Sequence, residues 1–139
     1  MSIIAIYQGA AGIGKAVAGE ALVAADGFSA RYDLDRIKGV FSRPSHQLVG
    51  QSYVGKILVL DIAKGGVATA WMLHEMMKRD KAPLALILNR ANPVMAQGAA
   101  FGEVPLIDRF DVDITKVLKS GDWLEVDPGK ASVSVIERS

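Results

Sequence analysis

The residues of this chain best placed for chemistry lie in one glycine loop, Lys64-Gly65-Gly66-Val67-Ala68-Thr69, which runs into a helical pattern. Backbone N–H groups in a first helical turn lack an intrahelical acceptor, and the helix dipole favours negative charge there. Gly65 and Gly66 let an anion approach the backbone closely, Lys64 adds a cation, and Thr69 places a hydroxyl in the first turn. Such a set suits capture of an anion. A plain strand-to-helix turn with a solvated lysine is the competing reading. Arg31 is a further candidate carboxylate clamp by its fork geometry, though any surface arginine fits that description.

A second glycine cluster, Gly12-Ile13-Gly14-Lys15-Ala16-Val17, follows a strand and looks like part of a dinucleotide fingerprint. The full pattern needs a third glycine at the mouth of a helix and an acidic residue about twenty positions on. Here the third glycine is missing from its place, and Val17 and Val23 make the next segment strand-like. Lys15 is not followed by Ser or Thr, so this is no P-loop. The glycines read more simply as turns and bulges. His46, isolated in Pro44-Ser45-His46-Gln47, reads as a surface residue, and His74 as a hydrogen-bonded packing residue near an apolar helix face.

The chain contains no cysteine. That excludes disulfides, a thiol nucleophile and an iron–sulfur cluster ligated by this chain. The two histidines are far apart in sequence, so no zinc spacing is visible and no metal site is expected on it. Sixteen basic and fifteen acidic residues, interspersed, leave a net charge of +1. Neither nucleic acid nor a membrane surface is expected as a partner, since each would need a basic stripe or block. The N-terminus lacks the basic and apolar regions of a signal peptide, and no apolar run is long enough to span a bilayer. The cytoplasm is the expected location.

The elements that must position these residues follow from periodicity. With 139 residues, half of them apolar, the chain fits one domain, 1–139. Strands are expected from Ile3 to Tyr7 and through Ala16 to Ala24, followed by an Asp26-Gly27 turn and a solvated polar loop from Ser29 to Gly39. Ile57 to Leu60 is apolar on both faces, as a central strand covered on both sides would be. Val67, Ala70, Leu73 and Met77 recur at helical spacing to Arg79, Pro83 ends that helix, and Leu84 to Leu88 is again a buried-type strand. A crossover of this length joins parallel neighbours. Asn92-Pro93 opens a helical stretch to Ala99 as N-cap and first residue, and Val104 to Ile107 is another strand. Asp122 to Val126 and Ala131 to Ile136 form a hairpin about Asp127-Pro128-Gly129. The class is α/β with an extra β component.

The run His46-Gln47-Leu48-Val49-Gly50-Gln51-Ser52-Tyr53-Val54-Gly55-Lys56-Ile57-Leu58-Val59 resembles the His-Pro-Leu-x-Gly-x-Ser-x-x-Gly-Lys-Ile-Leu-Val stretch of the aconitase X swivelling domain. The glycine loop and helix at 64 to 76, Ala82-Pro83-Leu84-Ala85-Leu86-Ile87, Asn92-Pro93-x-x-Ala96-x-Gly98-Ala99 and Val104-Pro105-Leu106-Ile107-Asp108 follow in that family's order. The resemblance implies a swivelling β/β/α domain, a mixed sheet or partly open barrel with flanking helices. It implies a hydro-lyase subunit, active beside a large catalytic aconitase-X-type subunit that binds an iron or iron–sulfur cofactor. A cysteine-free chain stopping at Ser139 matches the separate small subunit.

Family activities include dehydration of cis-3-hydroxy-L-proline and of phosphomevalonate. Phosphomevalonate members resemble Gly-Lys/Arg-Gly-Ser-Ser/Thr in the glycine loop, with serine as proton acceptor, and that serine falls on Gly66 here, with Val67 next. Ser29-Ala30-Arg31-Tyr32-Asp33 likewise replaces a Ser-x-x-Gly-Gly stretch. Both departures point to a small hydroxy acid or hydroxy amino acid such as cis-3-hydroxy-L-proline. Lys64, Gly65, Gly66 and Arg31 are then the expected substrate-binding residues, and Thr69 is the nearest hydroxyl for catalysis. The competing class is a non-catalytic swivelling domain that binds a carboxylate or a protein.

Overall fold

The computed structural model of the chain describes residues 3–29, 32–64 and 67–139, with the side chains of residues 67–70 outside the description. One mixed sheet dominates. Its strands are β1 (Ala5–Gln8), β2 (Ala11–Ile13), β3 (Val17–Val23), β6 (Ile57–Ile62), β7 (Ala85–Arg90), β8 (Leu106–Asp108), β9 (Trp123–Asp127) and β10 (Ser132–Glu137). They lie in the order β1-β10-β9-β3-β6-β7-β8-β2. β3, β6, β7 and β8 run parallel, and the remaining pairings are antiparallel. A separate ribbon joins β4 (Leu34–Asp35) to β5 (Val40–Phe41).

β1 and β2 occupy the two ends of that order yet follow one another in the chain. Between them, Gly9 N–H donates to Ala131 O (2.7 Å) and Ala10 N–H donates to Asp108 O (3.0 Å). The segment therefore crosses from one end of the sheet order to the other and bridges β10 to β8, curling the sheet round on itself. Gly9 makes the crossing possible, because a Cβ there would stand 2.5 Å from Ile107 Cγ2. The glycines expected to form turns include Gly12, which instead lies within β2 opposite Ile107. Pairing with β8 overrides glycine's weak strand preference at this position.

Alternate residues of the strands feed two cores. Ile57, Val59, Ala85, Ile87 and Ile107 face Leu124, Val126, Val133 and Val135 inside the curled sheet, together with Ile114 of α3 (Ile114–Val117). Leu58, Leu60, Leu86, Leu88 and Leu106 face outward onto α1 (Val67–Lys78) and α2 (Pro93–Phe101). This double burial explains the unbroken apolar run of β6. Each such side chain contributes roughly 1.5–3 kcal/mol by leaving water.

α1 buries Leu73, as expected, and Met76 rather than Met77, with Met72 and Met77 partly covered. α2 begins as its sequence implies: Asn92 Oδ1 accepts from Met95 N–H (2.7 Å) and Pro93 holds the first helical position. It continues to Phe101, two residues beyond the expected end. Among the described residues no helix is long and apolar enough to cross a membrane.

Candidate functional site

The C-terminal ends of β3, β6, β7 and β8 emerge on one rim, where parallel α/β sheets gather ligands. Backbone hydrogen bonds stitch their loops together. Phe28 N–H donates to Ile62 O (3.0 Å), Lys64 N–H to Phe28 O (2.8 Å), and Ala63 N–H to Arg90 O (2.9 Å). Ala91 N–H donates to Asp108 Oδ2 (3.0 Å), which ties the fourth strand to the third. Lys64, expected in substrate binding, is exposed at the centre of this rim. Its side chain passes over Gly27, and only a residue without Cβ leaves it that path.

The loop carrying Gly27 is held from beneath by His46, which was expected at the surface but is only 2% exposed. Its Nδ1 accepts from Leu48 N–H (3.1 Å), so the ring proton resides on Nε2, which donates to Gly27 O (2.9 Å). Phe41 stacks on the ring with centroids 4.5 Å apart. His46 thus ties the loop under Lys64 to the β4–β5 ribbon.

The stretch expected as a solvated loop is partly interior. Asp33 is buried, accepts from Ser29 N–H through Oδ2 (2.8 Å), and sits 2.6 Å through Oδ1 from Arg43 Nε. That last contact is an ion pair whose N–H is not aligned for a hydrogen bond. Asp26 is half-buried and accepts from Gly27 N–H (2.8 Å) and Gln47 N–H (3.1 Å). Burial opposes its ionisation, but those two N–H groups, with His46 and Arg43 nearby, outweigh it and hold its carboxyl below the ordinary value. The carboxylates of Asp26 and Asp33 thus fix the loop through these contacts.

Gly65, Gly66 and Arg31 lie outside the described residues. Thr69 falls in the first turn of α1, and its side chain is likewise outside the description. The N-terminal glycines are elsewhere, at the seam between β2 and the β9–β10 hairpin, where a Cβ on Gly12 would stand 2.2 Å from Pro128 O. His74 is half-buried with its ring on Phe101 (4.3 Å). Sequence reasoning missed Arg90 and Arg109, which share the rim with Lys64. A signal existed: each of the three cations comes two residues after the last branched aliphatic of its strand (Ile62, Leu88, Ile107).

Known proteins share this sequence pattern and fold. The family pattern described as the aconitase X swivel domain matches residues 6–135. The phosphomevalonate dehydratase small subunit of Methanococcoides burtonii is 32% identical over 120 residues, covering 86% of this chain and 88% of its own. Its counterpart from Pyrococcus horikoshii is 34% identical over 126 residues, covering 90% and 92%. The crystal structure of Thermococcus kodakaraensis aconitase X in its holo-form superimposes with a TM-score of 0.88 at 29% identity, over 96% of this chain and 99% of that one.

Proposed function

Since the chain belongs to the aconitase X swivel-domain family and is a dehydratase (hydro-lyase) subunit, we propose that its substrate is a small hydroxy acid or hydroxy amino acid, with cis-3-hydroxy-L-proline the best fit. The observation that carries this reading is the replacement of the serine-bearing loop positions by Gly66 and Val67, beside a lysine that lies over Gly27. A lysine presented at the mouth of α1 suits a carboxylate, whose charge it neutralises while the reacting carbon lies towards the partner.

The reaction is abstraction of a proton α to that carboxylate with loss of hydroxide. This chain's donor set does not fit a metal: it has no cysteine, and no three His, Asp or Glu side chains cluster among the described residues. The large catalytic subunit is therefore the proposed source of the iron-containing cofactor, which would supply Lewis-acid assistance. The small subunit binds and orients the carboxylate through Lys64 and the Gly65-Gly66 backbone, with Arg31 as a second clamp and Thr69 as the nearest hydroxyl. Closing over the large subunit excludes water from the reacting carbon. The complex is proposed to work in the cytoplasm, with neither nucleic acid nor membrane as partner.

Phosphomevalonate is the second reading, favoured by the names of the relatives from M. burtonii and P. horikoshii. Co-expression with a large aconitase-X-type subunit, followed by assay of both compounds, separates the two. The expected result is a heteromer that dehydrates cis-3-hydroxy-L-proline, with no turnover by the small chain alone. A phosphomevalonate rate equal to or above that on hydroxyproline would assign the second reading. A persistent monomer without turnover beside any such partner would make the chain a binding module.

A further inference from the structure

Next to Lys64, along the same rim, β7 and β8 end in a pocket that the carboxylate site does not use. It is open, about 420 Å³ in volume, and Arg90, Arg109, Asn92, Asp108 and Ala11 stand on its walls. Arg90 is exposed, and its guanidinium has no hydrogen-bond or ion-pair partner among the described residues. Asp108, the acidic residue of the pocket, is only 7% exposed and already committed. Its Oδ2 accepts from Ala91 N–H (3.0 Å), and its Oδ1 lies 3.4 Å from Arg109 Nε.

Arg109 is fixed from three directions. Its backbone takes φ 61°, a left-handed conformation that side chains other than glycine seldom adopt. Its N–H donates to Asn89 O (3.1 Å), and Asp108 steers its side chain. Strain of this kind persists where the surrounding structure over-determines it, and it collects at ligand sites. Asn92 caps α2 at the same wall through Met95 N–H, so a helix of nine residues directs its positive end towards the pocket. Two guanidinium forks, one unpaired and one pre-oriented, thus flank an opening whose acidic residue is buried and already engaged by its own contacts.

We propose that this pocket is an anion subsite that takes a carboxylate or phosphate group, with Arg90 as its binding fork and Arg109 as the oriented second contact. Which molecule brings that group rests on the dehydratase reading above; the anion preference does not. An arginine at such a site binds a planar or tetrahedral oxyanion through paired N–H donors, which a lysine cannot reproduce.

The test is an NMR titration of the full isotope-labelled chain with inorganic phosphate and, separately, malonate, at ionic strength held constant with sodium chloride. Saturable shifts are expected at the Ala91, Asn92 and Arg109 amides and at the Arg90 side-chain N–H. Arg90→Gln should weaken the binding about tenfold, the loss expected for one charge-assisted contact, with an unchanged thermal melt. Tighter phosphate binding would assign a phosphate-bearing ligand, and tighter malonate binding a carboxylate; either supports the subsite. Shifts that stay linear, that persist unchanged in Arg90→Gln, or that centre on Lys64 would overturn it. In the assembled complex, phosphate binding without dehydration of hydroxyproline would leave the subsite standing and remove the substrate reading. Dehydration without anion binding here would do the reverse.

Discussion

Lys64 lies across Gly27: a Cβ built on Gly27 would stand 2.6 Å from Lys64 Cε and 3.0 Å from its Nζ. The glycine is thus the floor on which the lysine rests, and His46 Nε2 supports that floor from below by donating to the Gly27 carbonyl. Position and support come from three separate segments of chain, joined only by the fold.

Gly27→Ala should therefore displace Lys64 without harming the fold, because the obstructed atoms are the far end of a flexible side chain. In the assembled complex KM for a carboxylate substrate should rise about fivefold, close to the effect of Lys64→Ala, as expected from about 1 kcal/mol for a partly exposed ion pair. Steady-state kinetics on both variants, with thermal melts as controls, measures this. Unchanged KM in both would place the carboxylate elsewhere on the rim.

His46→Ala should cost stability instead. It strips the Gly27 carbonyl and the Leu48 N–H of their partner and removes the ring stacked on Phe41. Leaving buried polar groups unpaired beside a new cavity costs on the order of 3 kcal/mol. Denaturant unfolding should show a midpoint shift at an unchanged slope. A loss under about 0.5 kcal/mol, the range of a surface substitution, would return His46 to the solvated role its sequence suggested.

Much of the fold is legible because its signals are local. Asn92-Pro93 marks a helix start through chemistry contained within four residues. The spacing from Val67 onward and the apolar runs of β6 and β7 give the parallel unit by pattern alone. The Asp127-Pro128-Gly129 turn gives the hairpin. What escaped is non-local. Ala11–Ile13 is a strand because β8 lies beside it, and nothing within that triplet says so. Asp33 and His46 look solvated in a polar stretch, but Arg43 and the Gly27 carbonyl wait for them across the fold. Of the cations on the rim, the sequence pointed to Lys64 through its glycine loop, whereas Arg90 and Arg109 become neighbours only once β7 and β8 pair.

Acid should destabilise the protein through Asp122. This carboxylate is fully buried and accepts from Ser139 N–H (3.0 Å), Lys119 N–H (2.9 Å) and Arg138 Nη1 (3.0 Å). Burial opposes its ionisation, yet these donors outweigh burial and hold it below the ordinary value of 3.8. A carboxyl lowered on folding adds stability above its unfolded value and loses it as pH falls through the folded one. Tm should stay level from about pH 7 to 5 and drop below about pH 4. Asp122→Asn should lower Tm at neutral pH and flatten that drop. An equally steep acid limb in the variant would assign the effect to other carboxylates such as Asp26.

The N-terminal glycines should prove structural, in contrast to Gly27. A Cβ on Gly12 would stand 2.2 Å from Pro128 O and 2.8 Å from Pro128 Cα, all backbone atoms that have no rotamer to escape into. Gly14 takes φ +101°, where an L side chain is strained whatever the space, and its Cβ would meet Pro105 Cα at 2.9 Å. Gly12→Ala should therefore push β2 away from the β9–β10 hairpin and weaken the seam between them, at a cost of about 1–3 kcal/mol typical of overpacking. Because Lys64 and Gly27 lie apart from this seam, variants that remain folded should keep the KM of the parent complex for the carboxylate held at Lys64. The decisive comparison sets Gly12→Ala beside Gly27→Ala in the same assays. The first should move Tm and leave KM alone, while the second should move KM and leave Tm alone. If Gly12→Ala raised KM in a complex with an unshifted melt, the glycine cluster would belong to the ligand site after all.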